Sequence, residues 1–137
     1  MPISECQVIE IPRHTDPRGS LSVLESQIHV PFDIRRVYYL YDVPAGKVRA
    51  AHGHKRLQQV MVAMSGAFDV QVDNGFERRS FRLDRPDRGL YIPPGMWRDL
   101  GSFSGGAVCM VLASELYDES DYLRDYDAFL AYARGSR

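Results

Sequence analysis

Two of the four histidines of this 137-residue chain stand one residue apart, in Arg49-Ala50-Ala51-His52-Gly53-His54-Lys55. On a β-strand, side chains at i and i+2 leave the same face. An extended backbone here projects His52 and His54 into one space, with Arg49 just upstream and Tyr38, Tyr39 and Tyr41 on the preceding segment. Such a pair serves metal ligation or acid–base transfer. Imidazole, with an unperturbed pKa of about 6.5, changes charge near working pH. Two imidazoles facing one cavity therefore suit removal of a proton beside a carbonyl and its return to a neighbouring atom. The plain structural alternative is two hydrogen-bonded polar residues lining a barrel.

The elements that must hold this pair are mostly strands. Val8 to Pro12 alternates, then meets the turn His14-Thr15-Asp16-Pro17-Arg18-Gly19, and Ser20 to Glu25 follows as a second short strand. Ile34 to Tyr41 is rich in β-formers, and Pro44-Ala45-Gly46 separates it from the histidine strand. Gln59 to Met64 is apolar. Phe68, Val70 and Val72 alternate with polar residues up to Asn74-Gly75, a dipeptide suited to a type I′ turn and a hairpin to Phe76–Leu83. Leu90-Tyr91-Ile92 ends at Pro93-Pro94-Gly95, and Ala107 to Ala113 reads as a buried strand. Helical spacing is confined to Glu119–Arg134, where Tyr126 and Tyr132 are expected to pack the helix on the strands, with Asp118 or Ser120 as cap. The whole, residues 1–137, reads as one all-β barrel or sandwich domain with a terminal helix.

Composition narrows the class. Hydrophobic residues make up 45% and charged residues 26%, as in ordinary globular proteins, and the formal net charge is −1. That balance gives no electrostatic case for nucleic acid or for an anionic membrane. Met1 to Glu10 carries no signal-peptide pattern, and no stretch is long and apolar enough to span a bilayer. Cys6 and Cys109 lack metal-ligand spacing and read as free thiols, so a cytoplasmic location is expected.

Gly46, His52-x-His54, Gln59 and Gly66 resemble the first motif of the cupins, jelly-roll barrels that commonly bind metal through two His, a Glu and a further His. Here Gln59 stands at the Glu position. Pro93-Pro94-Gly95 echoes the second motif, with Arg98 at its His position. An arginine cannot ligate, and its fixed charge repels a divalent ion. The expectation is a site with no metal and no cofactor, in which both imidazoles are free to titrate.

A closer resemblance covers Arg18-Gly19 to Phe129. Arg36-Val37-Tyr38-Tyr39, Arg49-x-x-His52-x-His54-Lys55, Leu90-Tyr91-Ile92-Pro93-Pro94 to Trp97, and Val111-Leu112-Ala113-Ser114 leading to Tyr117-Asp118-Glu119-x-Asp121-Tyr122-x-Arg124-Asp125-Tyr126 resemble the nucleotide-sugar 3,4-ketoisomerases of the cupin superfamily. The resemblance implies a dTDP-linked keto sugar as substrate, dTDP-4-keto-6-deoxy-D-glucose. Its ketone would move from C4 to C3, on the way to dTDP-linked 3-amino-3,6-dideoxy sugars. It also implies a metal-independent homodimer with exchanged N-terminal strands. Gly53 stands where Ala is common, and it is expected to face away from the chemistry.

On this reading His52 is the carbon base and His54 with Tyr38 the proton relay, although the sequence does not separate the two histidines. Arg49 is assigned to the enediolate or the diphosphate. Arg18 resembles a position near the substrate. Trp97, the only tryptophan, either stacks on the ligand or fills the barrel mouth. Arg98 either contacts the substrate or pairs with a core carboxylate. Three other functions fit parts of the pattern. A 3,5-epimerase on the same nucleotide sugar needs proton exchange at C5 and C3 from a differently placed His–Asp pair, which the sequence does not display. A non-catalytic nucleotide-sugar-binding cupin needs no proton transfer, and a metal-dependent oxygenase is opposed by Gln59 and Arg98.

Overall fold

In the computed structural model, which describes residues 1–135, two five-stranded antiparallel sheets face each other. The strands are β1 (Gln7–Glu10), β2 (Arg13–Asp16), β3 (Gly19–Ser22), β4 (Arg36–Leu40), β5 (Arg49–His54), β6 (Gln59–Ser65), β7 (Phe68–Asp73), β8 (Arg78–Leu83), β9 (Arg88–Ile92), β10 (Trp97–Gly101), β11 (Val108–Ala113) and β12 (Tyr122–Leu123). One helix, α1 (Tyr126–Gly135), closes the described chain. One sheet runs β1-β9-β6-β11-β4, the other β12-β5-β10-β7-β8, and β2 with β3 forms a separate hairpin. This is the expected all-β jelly roll with a C-terminal helix, its two sheets remaining separate rather than closing into one barrel.

Alternation decides what each strand buries. Met61 and Ala63 of β6, Leu90 and Ile92 of β9, and Cys109 and Val111 of β11 meet Phe68, Val70, Val72, Leu83 and Leu100 of the opposite sheet. Val60, Val62 and Leu112 point out of the first sheet instead, where Ile11, Val30 and Phe32 cover them. Burial on both faces is why β6 and β11 read as continuous apolar runs rather than alternating ones.

Two local expectations change, and one strand is added. Asn74-Gly75 is not a two-residue type I′ turn: Asp73 pairs with Arg78, leaving a four-residue loop, and only Gly75 of the dipeptide has positive φ, at 93°. The Asn74 side chain accepts from the amides of Phe76 and Glu77 and so builds its own turn. The helix does not begin at Glu119. Residues Glu119–Asp121 form a 3-10 turn capped by Asp118, and Tyr122–Leu123 are drawn into β12 against β5. Asp125 then caps α1 by accepting from the Ala128 amide at 3.0 Å. Finally, Trp97–Gly101, which carries no strong strand signature, is the central strand β10 between β5 and β7.

Candidate active site

The histidine strand is not regular. Ala50 and Ala51 have φ of 71° and 56°, and the β5–β10 register slips between Arg98 and Asp99. His52 pairs with Arg98, while Arg49 pairs with Leu100. Simple alternation would put Arg49 and His52 on opposite faces. The extra residue returns Arg49 to the inner side, and this bulge is what brings the two together. Left-handed backbone at two alanines is strained, at roughly 1–2 kcal/mol per residue.

Beyond the bulge, a cleft of about 520 Å³ opens between the sheets. Its walls carry Arg36 and Tyr38 from β4, Arg49 and His52 from β5, Tyr122 from β12, and Arg124. His52 faces this space. The His52 and His54 rings lie 4.7 Å apart, edge to face, so the spacing places them together as expected. Their environments differ. His54 is fully buried, and its Nδ1 lies 3.0 Å from Asp121 Oδ2. The Asp121 carboxylate also accepts from the backbone amides of Arg56 at 2.7 Å and Leu57 at 3.2 Å. With Asp121 accepting, Nδ1 of His54 carries the proton and Nε2 is the basic nitrogen. This His54–Asp121 pair orients the second histidine and is not the differently placed pair that an epimerase would need.

Burial, then the Arg98 guanidinium, lowers both imidazoles. His52 falls to about 4, with a hydrogen bond to the Ala50 backbone opposing the shift. His54 is likewise held below the ordinary histidine range. Both rings are thus neutral at working pH, and each Nε2 is buried without a partner among the described residues.

The remaining predicted residues divide. Tyr38 lines the cleft, and its Oη accepts from Gln59 Nε2 at 2.8 Å. Arg98 is 0% exposed, directly behind the histidines. Among the described residues it contacts no carboxylate; it donates to Gln59 Oε1 and to the Met96 carbonyl at 3.0 Å, which corrects the expectation of a core ion pair. Trp97 is not brought to the cleft. It leaves β10 on the opposite face from Arg98, 8% exposed, and packs on Tyr126 and Phe129 of α1. Gly53 also points that way, where an added Cβ would stand 2.9 Å from Phe129. Arg18 sits at the exposed tip of the β2–β3 hairpin, paired with Asp16 at 2.7 Å and outside the cleft of its own chain.

Sequence reading gave no site role to Arg36, Tyr122, Arg124, Asp121 or Gln59. Tyr122 lies 4.9 Å from the His52 ring and 4.4 Å from that of His54. It belonged to the helical pattern in sequence, and only its pairing with His54 across β12–β5 turns it inward. Arg124 covers the Tyr122 ring at 4.2 Å and is neutralised by Glu119 at 2.9 Å. Arg36, whose guanidinium lies over the Tyr38 and Tyr117 rings at 5.2 and 5.7 Å, and Arg49 have no carboxylate partner among the described residues, so theirs are the positive charges of the cleft that no carboxylate neutralises.

The residues do not fit a metal. Arg98 and Gln59 bond to each other at the two positions where cupin ligands would be needed. No cluster of three His, Cys, Asp or Glu able to hold an ion occurs among the described residues.

Fold and site together define a cupin-type jelly-roll protein with an arginine-rimmed, histidine-lined cleft. The chain belongs to the family described as FdtA: WxcM-like, C-terminal, which it matches over residues 4–134. It is 43% identical over 128 residues to the TDP-4-oxo-6-deoxy-alpha-D-glucose-3,4-oxoisomerase of Aneurinibacillus thermoaerophilus, covering 93% of this chain and 92% of the relative. Among solved structures it resembles the WlaRB TDP-quinovose 3,4-ketoisomerase of Campylobacter jejuni, at 45% identity and TM-score 0.90, over 93% of this chain and 98% of the other. It also resembles a mutant of the QdtA 3,4-ketoisomerase of Thermoanaerobacterium thermosaccharolyticum in complex with TDP-4-keto-6-deoxyglucose. That match has 37% identity, a TM-score of 0.94 and coverage of 98% and 97%.

Proposed function

We propose that this protein is a TDP-sugar 3,4-ketoisomerase that moves the ketone of TDP-4-keto-6-deoxyglucose from C4 to C3. The observation that carries the reading is a neutral His52 at the cleft wall with an unpartnered Nε2, beside Tyr38 and the unpaired cations Arg36 and Arg49. The carbonyl at C4 acidifies the C3–H bond. His52 removes that proton, leaving an enediolate with its charge on O4. Arg49 and Arg36 supply positive charge for the enediolate and the diphosphate. The proton on O3 passes to O4 through the hydroxyl of Tyr38 and the His54 ring. His52 returns its own proton to C4, which is adjacent on the same face. The ketone then stands at C3 and a hydroxyl at C4, with no net gain or loss of protons.

The same reading makes residues 1–137 one catalytic domain, active as a homodimer with exchanged N-terminal strands. All eight residues of β2 and β3 are exposed, and among the described residues these strands pair only with each other. An exchanged hairpin carries Arg18 to the partner's cleft. Two unpaired buried thiols, Cys6 and Cys109, fit a cytoplasmic enzyme. Among the described residues no helix is long and apolar enough to cross a membrane.

Proton NMR with TDP-4-keto-6-deoxyglucose in deuterated water, with His52→Asn alongside, tests the reading. A 3-keto product, lost in the variant, is the expected result; protium at C4 reports direct return of the C3 proton by His52, and deuterium there reports exchange of the imidazolium with solvent before the return. Exchange at C5 would indicate an epimerase, and binding without exchange a non-catalytic sugar-binding protein. The C4 coupling constant reports the configuration of the product.

A further inference from the structure

Behind the cleft lies a buried hydrogen-bond chain whose direction is set at one end. Arg98 is fully buried, and a guanidinium can only donate. The atom of Gln59 that faces it must therefore be the amide oxygen, which receives Arg98 Nη1. The amide nitrogen then faces the other way, toward Tyr38 Oη, 2.8 Å off. That nitrogen can only donate, so the tyrosine oxygen accepts on this side. Its own proton is free to point only elsewhere, and Tyr38 borders the cleft. The direction follows from donor chemistry at Arg98, so it does not depend on how an amide is drawn.

We propose that Arg98 and Gln59 are positioning residues that fix the polarity of Tyr38, making its hydroxyl an obligatory proton donor toward the substrate oxygens. This inference rests on the ketoisomerase reading and assigns the donor within it. In the step above, a Tyr38 held as donor meets O4 as negative charge develops there, when a donor helps most. A tyrosine free to turn would spend part of its time presenting lone pairs to that oxygen. Burial also raises the Tyr38 pKa, which keeps the hydroxyl protonated. The arrangement accounts for an amide where a cupin metal site would carry a carboxylate: a carboxylate would satisfy Arg98 but could only accept from Tyr38, reversing it.

Two substitutions separate polarity from packing. Gln59→Glu keeps the shape and the Arg98 contact but demands the tyrosine proton. Gln59→Met removes both hydrogen bonds and demands nothing. If polarity matters, Gln59→Glu lowers kcat about 10- to 100-fold with KM within twofold, and Gln59→Met lowers it only a few-fold. A merely structural role gives the opposite order, since Met breaks more contacts, and that result would overturn the proposal. Each change is repeated in a Tyr38→Phe background, where the polarity effect has nothing to act on. Loss of the Gln59 effect there supports the proposal; an undiminished, additive effect overturns it. If Gln59→Glu does not fold, the coupling of Gln59→Met to Tyr38→Phe decides by the same criterion. Wild-type enzyme that leaves TDP-4-keto-6-deoxyglucose unchanged would instead remove the ketoisomerase reading, so the two failures are distinct.

Discussion

Asp121 Oδ2 lies 3.0 Å from His54 Nδ1, joining a residue of the C-terminal segment to the histidine strand across 67 positions of chain. The contact sets the tautomer of His54 and ties the segment carrying Tyr122 to the cleft. Asp121→Asn places an NH₂ group among three donors. The expected result is a stability loss of about 1–3 kcal/mol and a roughly 10- to 100-fold lower kcat. Nitrogen NMR of the His54 ring should report a shift toward the Nε2–H tautomer. Unchanged kcat and an unchanged ring spectrum would leave Asp121 with a packing role alone.

The pH dependence follows from the lowered histidines. With His52 at about 4, the acid limb of kcat/KM should fall near pH 4 rather than at about 6.5. Stability carries the same sign. As pH falls through the unfolded value of about 6.5, the unfolded chain takes up protons that buried His52 refuses. His52 therefore adds stability above that pH, and this is lost as pH falls toward 4 at a limiting slope of about 1.4 kcal/mol per unit. Denaturation midpoints between pH 4 and 7 for wild type and His52→Asn check this; equal slopes would contradict it.

Arg36 and Arg49 are the cleft cations without a carboxylate partner among the described residues. Replacing either by alanine is expected to raise KM for the TDP-sugar about tenfold or more, the worth of one charge-assisted contact to phosphate. Isothermal titration with TDP alone separates a diphosphate contact from one to the sugar. Retained TDP affinity with a lower kcat would assign that arginine to the enediolate.

Trp97 serves the helix. Trp97→Phe should lower stability by about 1–3 kcal/mol through lost packing on Tyr126 and Phe129, with KM unchanged within twofold. Thermal melting and steady-state kinetics measure both. A tenfold rise in KM at unchanged stability would return Trp97 to the substrate.

Much of this was legible in the sequence because it depends on local periodicity. Alternation from Phe68 to Val72, the breakers around Pro44 and Pro93, and the i, i+2 histidines each have one steric solution, so strands, class and the histidine pair follow directly. The bulge at Ala50-Ala51 was not legible, because nothing in two alanines signals positive φ; pairing with β10 imposes it. Nor was Asn74-Gly75 legible as a four-residue loop, since the Asn74 side chain competes with the backbone for the same amides.

The sequence by itself determined the residue types available for chemistry, the strand-rich architecture, and the replacement of cupin ligands by Gln59 and Arg98. Only the tertiary structure decided who meets whom. It turned Tyr122 inward by giving it to β12 instead of the helix, joined Asp121 to His54, and sent Trp97 to the outer face one residue from Arg98. These are long-range pairings fixed by register and burial, where one residue of slip reverses a side chain's face.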